Sequence, residues 1–592
     1  MHVVATAGHV DHGKSTLVDA LTQMTSDRLA EERRRGLSIE LGYVWTSLPE
    51  VGDVAFVDVP GHERFISTML AGIGPVPAVL LVVAADDPWM PQAAEHLAAL
   101  DALGVRSGVV AVTRSDLADP APAMARVSAE LAGTSLHGAP VVAVSARTGA
   151  GLPELRQALT RMVAGLPEPD PAADVRLWVD RRFVVKGAGT VVTGTLPAGR
   201  VARGDELAVD GRLVRVRGVQ SLGRPVDAAS GVARVALNLT GPDLAGVDRG
   251  SVLVTPDAWH ETTLVDVRVA LRGGHGVDGS SERLASELQL HVGAAAVAAR
   301  VRPLTADLVR LTLARPLPLR VGDRALLREP GTRTVWGVQV LDPAPPALSR
   351  RGAAAARAKQ LASVSGEPDL ASETERRGVV HVDLLRRLGV PEGATAPGAV
   401  RVGDWWLGAA RAERASAALA RMVAEHDAAQ PLDPGVPLSV LAERLGLPDP
   451  ALVAAVAPSP LRVRGGRVVA PHAPAGLPPA LERALAELAA DLAPAPFAAL
   501  TADRLAALGL DQRAVAAAAK AGRLVRVAPG IVLLPGAEQE AVRLLSGLPQ
   551  PFTTSEARQA LGTSRRVVLP LLDLLDRRGL TRRLPDDRRE LA

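Results

Sequence analysis

The stretch "GHVDHGKST", residues 8–16, decides the reading of this chain. A glycine, four residues, then Gly13-Lys14-Ser15 is the spacing of a phosphate-binding loop. It follows the apolar run "HVVATAG" and precedes the helix-like "TLVDALTQM", the strand–loop–helix order that such a loop requires. Backbone N–H groups at the start of the helix cradle phosphate, Lys14 reaches the β- and γ-phosphate oxygens, and the Ser15 hydroxyl binds Mg²⁺. Only four of the 67 basic residues are lysines, so one at this position stands out. A compact ammonium fits among phosphate oxygens where a planar guanidinium fits poorly.

Three further stretches extend the site. "DVPGH" (58–62) follows a strand-like run and sets Asp58 near the metal and Gly61 near the γ-phosphate. "TRSD" (113–116) follows another. Asp116 accepts hydrogen bonds from guanine N1–H and the exocyclic amine, a pair that adenine lacks, and an acceptor left unpaired discriminates by about 10⁴. Ser145-Ala146 closes the last such run, where a backbone N–H meets guanine O6. The order and spacing are those of a GTPase. Its expected GTP/GDP contacts are Gly8, Asp11, His12, Gly13, Lys14, Ser15, Thr16, Asp58, Gly61, Thr113, Arg114, Asp116, Ser145 and Ala146.

At 592 residues the chain is expected to divide into about four domains. A hydrophobic share of 47% with 22% charged residues describes a folded protein rather than a disordered one. No apolar run reaches the length of a membrane span, and the first residues enter a strand, so neither a transmembrane helix nor a signal peptide is expected. The absence of cysteine excludes disulfides, thiol nucleophiles and thiolate metal sites, and it suits a cytoplasmic protein. A net charge of +3 does not by itself indicate nucleic-acid binding.

Residues 1–170 alternate buried-strand runs with helical stretches, which predicts an α/β domain around a parallel sheet. "LPEPDPAA" (166–173) reads as a linker. From 174 to 345, short β-rich runs separated by glycine turns predict two β-barrels, 174–258 and 259–345, and "LDPAPPALSRRG" (341–352) reads as a second linker. Residues 353–592 repeat. Leu-Gly pairs that close a helical run begin at 388, 445, 508 and 561. After the last three come a second helical run and a β-like stretch, the pattern of winged helices; a four-unit helical solenoid is the alternative. The expected repeats are 353–410, 411–473, 477–536 and 538–592.

"GHVDHGKS", "RGLSIELGY", "DVPGHERF" and "DDPWMPQAAEH" resemble the translational GTPases, the group that contains elongation factor Tu. The resemblance implies that Ser38, in Arg35-Gly36-Leu37-Ser38, binds Mg²⁺ in the GTP state. It also implies that His62 is the catalytic residue, orienting the attacking water, with Val10 and Leu37 as an apolar gate beside it. Ser38 stands where the group has threonine, Arg114 where it has lysine and Thr113 where related GTPases have asparagine; weaker nucleotide binding, with exchange unaided by a second factor, is the expectation. "FVVKGAGTVVTGTLPAGRVARGDEL" and "PLPLRVGDRALLREPGTRTVWGVQVLDP" resemble the two barrels of the same group. With the long C-terminal extension, "RLAEERRRGLSIELGY" and "VDRRFVVKGAG", the chain is similar to the bacterial selenocysteine-specific elongation factors.

That likeness implies GTP-dependent delivery of selenocysteyl-tRNA to a ribosome at a recoded UGA codon, with the C-terminal part holding a hairpin of the mRNA. A monomer is expected. A selenol is more acidic than a thiol, so it is an anion at neutral pH, whereas serine on the same tRNA is neutral. A charge pair at 4 Å and an effective dielectric of 20 is worth about 4 kcal/mol gross. By resemblance Arg181 and Arg234 form the cationic pocket; the alternative is two barrel-surface arginines. For the hairpin, Arg565 and Arg566 open the second helix of the last repeat and Arg582 and Arg583 fall on its wing, a cluster suited to RNA backbone and loop bases. A solvated charged face is the alternative, and Pro570 predicts a kink in that helix. Two other functions stay open: a general elongation or initiation factor with an appendage, and an RNA-binding regulator with a GTPase switch.

Overall fold

Val3, Val4, Ala5 and Ala7 of β1 (His2–Ala7) are buried on both faces, as a central parallel strand requires. The chain then forms α1 (Lys14–Thr22), β2 (Gly42–Leu48), β3 (Gly52–Asp58), α2 (Ile66–Ile73), β4 (Ala78–Ala84) and α3 (Pro91–Leu103). β5 (Ser107–Thr113), α4 (Ala121–Leu131), β6 (Val141–Ala143) and α5 (Leu152–Ala164) complete it. The six strands lie in the order β2-β3-β1-β4-β5-β6; β2 alone pairs antiparallel, with β3. Strand order reverses at β1, whose neighbours are β3 and β4, so a crevice opens beyond its C-terminal end, where ligands of such sheets bind. The computed structural model describes residues 1–25, 40–62, 65–87, 89–187, 189–242, 244–272, 284–329, 334–430, 432–471 and 477–592.

The next segment forms an eight-stranded sheet whose end strands are Arg176–Trp178 and Arg181–Val185. Only Val179 and Asp180 separate these two, so the path round the sheet returns on itself and encloses one core of valine and leucine. Along Arg212–Ser221, Val214, Val216 and Val219 are buried while Arg215 and Arg217 face out, and a bulge between Val216 and Gly218 bends the strand. Residues 260–342 form a closed six-stranded barrel. Its helix-facing side packs on the first domain, where Val292 and Val338 share a core with Leu97 and Leu100.

The proline-rich stretch at 341–352 is not a slack linker. Asp342 is fully buried and accepts from Arg357, Arg376 and Arg377, and Arg310 Nη1 donates to the Pro346 carbonyl at 2.7 Å. These contacts hold helices Ala353–Ala362 and Leu370–Arg377 against the barrel. The chain divides into two compact units, residues 1–397 and 398–592, and the division falls inside the first expected repeat.

Among the described residues the second unit contains three modules of helix, glycine turn, helix and β pair. Their second helices are Pro450–Ala455, Gln512–Lys520 and Arg565–Arg577; their β pairs are Arg462–Arg464 with Arg467–Val469, Val525–Ala528 with Ile531–Leu533, and Thr581–Arg583 with Arg589–Leu591. Helix Arg565–Arg577 continues on both sides of Pro570, so the proline does not end it. Val567, Val568, Leu571, Leu572 and Leu575 bury one continuous face, which outweighs the one backbone bond that proline cannot donate. Among the described residues no helix is long and apolar enough to cross a membrane.

Candidate functional site

The loop after β1 turns through Asp11 at φ 65° and Gly13 at φ 77° before α1 begins at Lys14. Gly8 sits at φ 134°, and a Cβ there would stand 2.1 Å from the Val82 carbonyl oxygen, so glycine is required. Lys14 is buried, and its Nζ donates to the carbonyls of Gly8 (3.1 Å) and His9 (2.7 Å), curling over the loop. Ser15 Oγ donates to Asp58 Oδ2 at 2.6 Å. The other Asp58 oxygen accepts from Thr6 Oγ1 at 2.8 Å, which fixes the carboxylate at the end of β3.

A cavity of about 440 Å³ opens at this point. Asp11, Gly13, Lys14, Ser15, Thr16, Gly61, Thr113, Arg114, Asp116 and Ala146 of the expected contacts line it, together with Val10, Leu117 and Arg147. Phosphate-loop, metal-side and base-side residues therefore meet in one space. A Cβ on Gly61 would lie 2.4 Å from Lys14 Nζ and 2.5 Å from Val10 N, so this glycine lets the loop after β3 close on the phosphate side. A hydroxyl beside a buried carboxylate, at a helix N-terminus with a lysine, is a donor set that fits a nucleotide phosphate with Mg²⁺.

Other expected contacts fall elsewhere. The His12 side chain is fully buried and turned away from the cavity, with Nε2 3.3 Å from Asp87 and its ring against His9; only its backbone remains in the loop. Burial, then the neighbouring His9, pushes its pKa down to about 4. Gly8 and Ser145 do not line the cavity. The Ser145 N–H donates to Ala150 and its hydroxyl accepts from Thr148, so Ala146 is the member of the pair that faces it. Arg114, at φ 57°, bridges the loop after β1 and the loop after β4: it donates to the Asp11 carbonyl and to Asp86 at 3.2 Å. Thr113 Oγ1 donates to the His12 carbonyl at 2.7 Å. His62 follows Gly61 and meets the Phe65 ring at 6.0 Å, outside the cavity lining. Ser38 and Leu37 lie outside the described residues.

A second cavity, of about 240 Å³, lies between β2 and the second domain and contains both expected pocket arginines. Arg234 is buried and donates through both terminal nitrogens to Asp180. Burial disfavours its charge, yet Asp180 and Tyr43 hold the guanidinium pKa above the usual value. The Tyr43 ring lies beneath both cations, 3.7 Å from Arg234 Cζ and 5.2 Å from Arg181 Cζ. Burial pushes the Tyr43 hydroxyl pKa up. Arg181 donates to the Leu41 carbonyl and stands 3.1 Å from Glu40. The sequence reading named neither Tyr43 nor Asp180. Tyr43 is the chain's one tyrosine and Asp180 directly precedes the Arg181-Arg182 pair, which were the available signals.

In the second unit Arg565 and Arg566 open their helix after Ser564 and carry no ion pair among the described residues. Arg582 and Arg583 lie on the wing but pair with Glu590 and Asp587.

Comparison with known proteins gives this geometry a family. Residues 1–165 match the elongation factor Tu GTP binding domain. Residues 283–347 match the selenocysteine-specific elongation factor beta-barrel domain, and 543–589 the elongation factor SelB winged helix. A selenocysteine-specific elongation factor of Escherichia coli is 36% identical over 431 residues, 70% of this chain and 68% of that one. The chain belongs to the selenocysteine-specific elongation factors. The Desulfomicrobium baculatum relative is 36% identical over 391 residues, 64% of this chain and 61% of its own length, so the match spans less than two thirds of that relative. A crystal structure of bacterial EF-Sec is similar over the full length of both chains, with a TM-score of 0.71 and 24% identity, a likeness of fold. The first domain is thus a GTP binding domain of the elongation factor Tu type.

Proposed function

We propose that this protein couples GTP hydrolysis to delivery of selenocysteyl-tRNA to the ribosome at recoded UGA codons, its last winged helix holding an mRNA hairpin. The observation that carries the reading is the pocket of Arg181, Arg234 and Tyr43, built between the nucleotide-binding domain and the second domain. A tyrosine-floored cavity of that size, in which Arg181 can turn from the exposed Glu40 to an anion, suits a selenolate and offers serine no matching charge.

On this reading Asp116 and Ala146 select guanine, and the N–H groups of the 8–16 loop with Lys14 hold the β- and γ-phosphates. Ser15 and, by family likeness, Ser38 would hold Mg²⁺, which when bound would neutralise phosphate charge. His62 orients the water that attacks the γ-phosphorus, with Val10 walling that side. Little covalent chemistry falls to the protein; positioning and charge stabilisation lower the barrier. Gly61 couples loss of the γ-phosphate to the segment after β3, and so to the cargo held at β2. The working domains are 1–170, 174–258 and 259–345, with residues 353–397 held on the barrel and the C-terminal modules in 398–592, in a cytoplasmic monomer.

The test is binding of selenocysteyl-tRNA and seryl-tRNA on the same tRNA body to the GTP-loaded protein. The reading requires much tighter binding of the first; equal affinities defeat it.

A further inference from the structure

The N–H of Gly8 lies one residue beyond the end of β1, where no sheet carbonyl receives it. It donates instead to Nδ1 of His96 at 3.0 Å. His96 is 2% exposed and belongs to α3. The Gly8 carbonyl in turn accepts from Lys14 Nζ. The first glycine of the loop is thus held at both polar atoms, by a histidine from outside the loop and by the lysine that meets phosphate. Glu95, the adjacent residue, lies 3.5 Å from Arg328 Nε of the six-stranded barrel, which anchors the same turn of α3 on its far side.

We propose that His96 is a positioning residue for the nucleotide: its Nδ1 fixes the Gly8 peptide so that the loop and Lys14 keep the geometry that phosphate needs. The inference rests on the nucleotide reading of the 8–16 loop and adds a member to it. A buried backbone N–H must be paired, and the imidazole is the group that the fold brings to this one. Burial, then Lys14 and His9, pushes the His96 pKa down to about 3, so the ring stays neutral and Nδ1 keeps its lone pair.

Three substitutions in the full-length chain separate a hydrogen-bonding role from a packing role. In His96→Asn the side-chain oxygen takes the place of Nδ1. In His96→Gln the acceptor is one bond farther out. In His96→Leu it is absent, and the apolar packing is retained. Fluorescent-GDP titration and displacement are expected to show wild-type behaviour within about threefold for His96→Asn. About tenfold weaker binding and faster release is expected for His96→Leu and His96→Gln, the scale of one neutral hydrogen bond. Thermal melting of each variant shows that it is folded at the temperature of the binding assay. Wild-type affinity in His96→Leu, or equal affinities of His96→Asn and His96→Gln, would overturn the proposal. If His96→Leu does not fold, the comparison of the asparagine and glutamine variants decides alone. Absence of nucleotide binding by the wild type would defeat the nucleotide reading together with this one, whereas binding by the wild type with indifferent variants defeats this one alone.

Discussion

Asp180 receives both terminal nitrogens of Arg234 in a buried pair that lies over the Tyr43 ring. The charge of Arg234 is therefore compensated within the protein. Arg181 faces Glu40, which is 54% exposed, and a pair of that kind is weak. Arg181 is thus the cation better able to turn towards an anionic cargo. Arg181→Gln should reduce the preference for selenocysteyl- over seryl-tRNA by about 1–2 kcal/mol, roughly five- to thirtyfold, with seryl-tRNA affinity nearly unchanged. Arg234→Gln should instead lower thermal stability, because it strands the buried Asp180 carboxylate. Competition binding and a melting curve distinguish the two.

Asp116 lines the same cavity as Lys14, so base and phosphate recognition can be tested independently. A carboxylate there accepts from guanine N1–H and the 2-amino group, whereas an asparagine amide can donate to the 2-oxygen of xanthine. Asp116→Asn should weaken GTP binding by about 10³ or more and raise XTP binding above it. Displacement of a fluorescent nucleotide by each triphosphate measures both. Retained GTP preference would remove Asp116 from the base site.

The nucleotide loop was legible because its chemistry is local: spacing and neighbouring strands fix where backbone amides point. The repeats were legible for a similar reason. Gly389, Gly446, Gly509 and Gly562 follow their leucines at φ between 56° and 89°, the left-handed turn that ends each helix. Asp180 and Arg234 are 54 residues apart and meet only when the second domain closes. His96 stood inside the run "DDPWMPQAAEH", but nothing local marks it as buried; packing of α3 against the loop after β1 sets its ring on the Gly8 N–H. His12 looked like a phosphate contact because its backbone belongs to the loop, while its side chain turns inward to Asp87.

Asp342 and Asp266 anchor a buried network with Arg310, Arg357, Arg376, Arg377 and Glu373. Burial alone would raise the Asp342 pKa, but Arg376, Arg377 and Arg357 outweigh it and hold the carboxyl below its usual value. Its stabilising contribution is present above the unfolded pKa near 3.9 and is lost as pH falls towards the lower folded value. At neutral pH, Asp342→Ala leaves three guanidinium groups facing an apolar hole and should cost about 3–5 kcal/mol. The effect should appear as faster hydrogen exchange and proteolysis within 353–377, with GDP binding by the first domain retained. Unchanged protection there would show that apolar packing, through Leu361 and Leu370, holds these helices without the network.

The last module presents two kinds of arginine. Arg582 and Arg583 are engaged by Glu590 and Asp587, so a phosphate must displace a carboxylate to reach them. Arg565 and Arg566 stand at a helix N-terminus without such partners among the described residues, and the helix dipole adds to their attraction for phosphate. If this module holds the mRNA hairpin, Arg565→Ala with Arg566→Ala should weaken binding by about 10- to 100-fold and flatten the salt dependence by roughly one to two phosphate contacts. Arg582→Ala with Arg583→Ala should change affinity by less than about fivefold, because each exchanged pair is exposed and nearly neutral in free energy. Filter binding of the full-length chain to the hairpin across a salt series gives both quantities. Equal losses from the two double substitutions would shift the contact from the helix to the whole module face, and a loss confined to the wing would reverse the assignment.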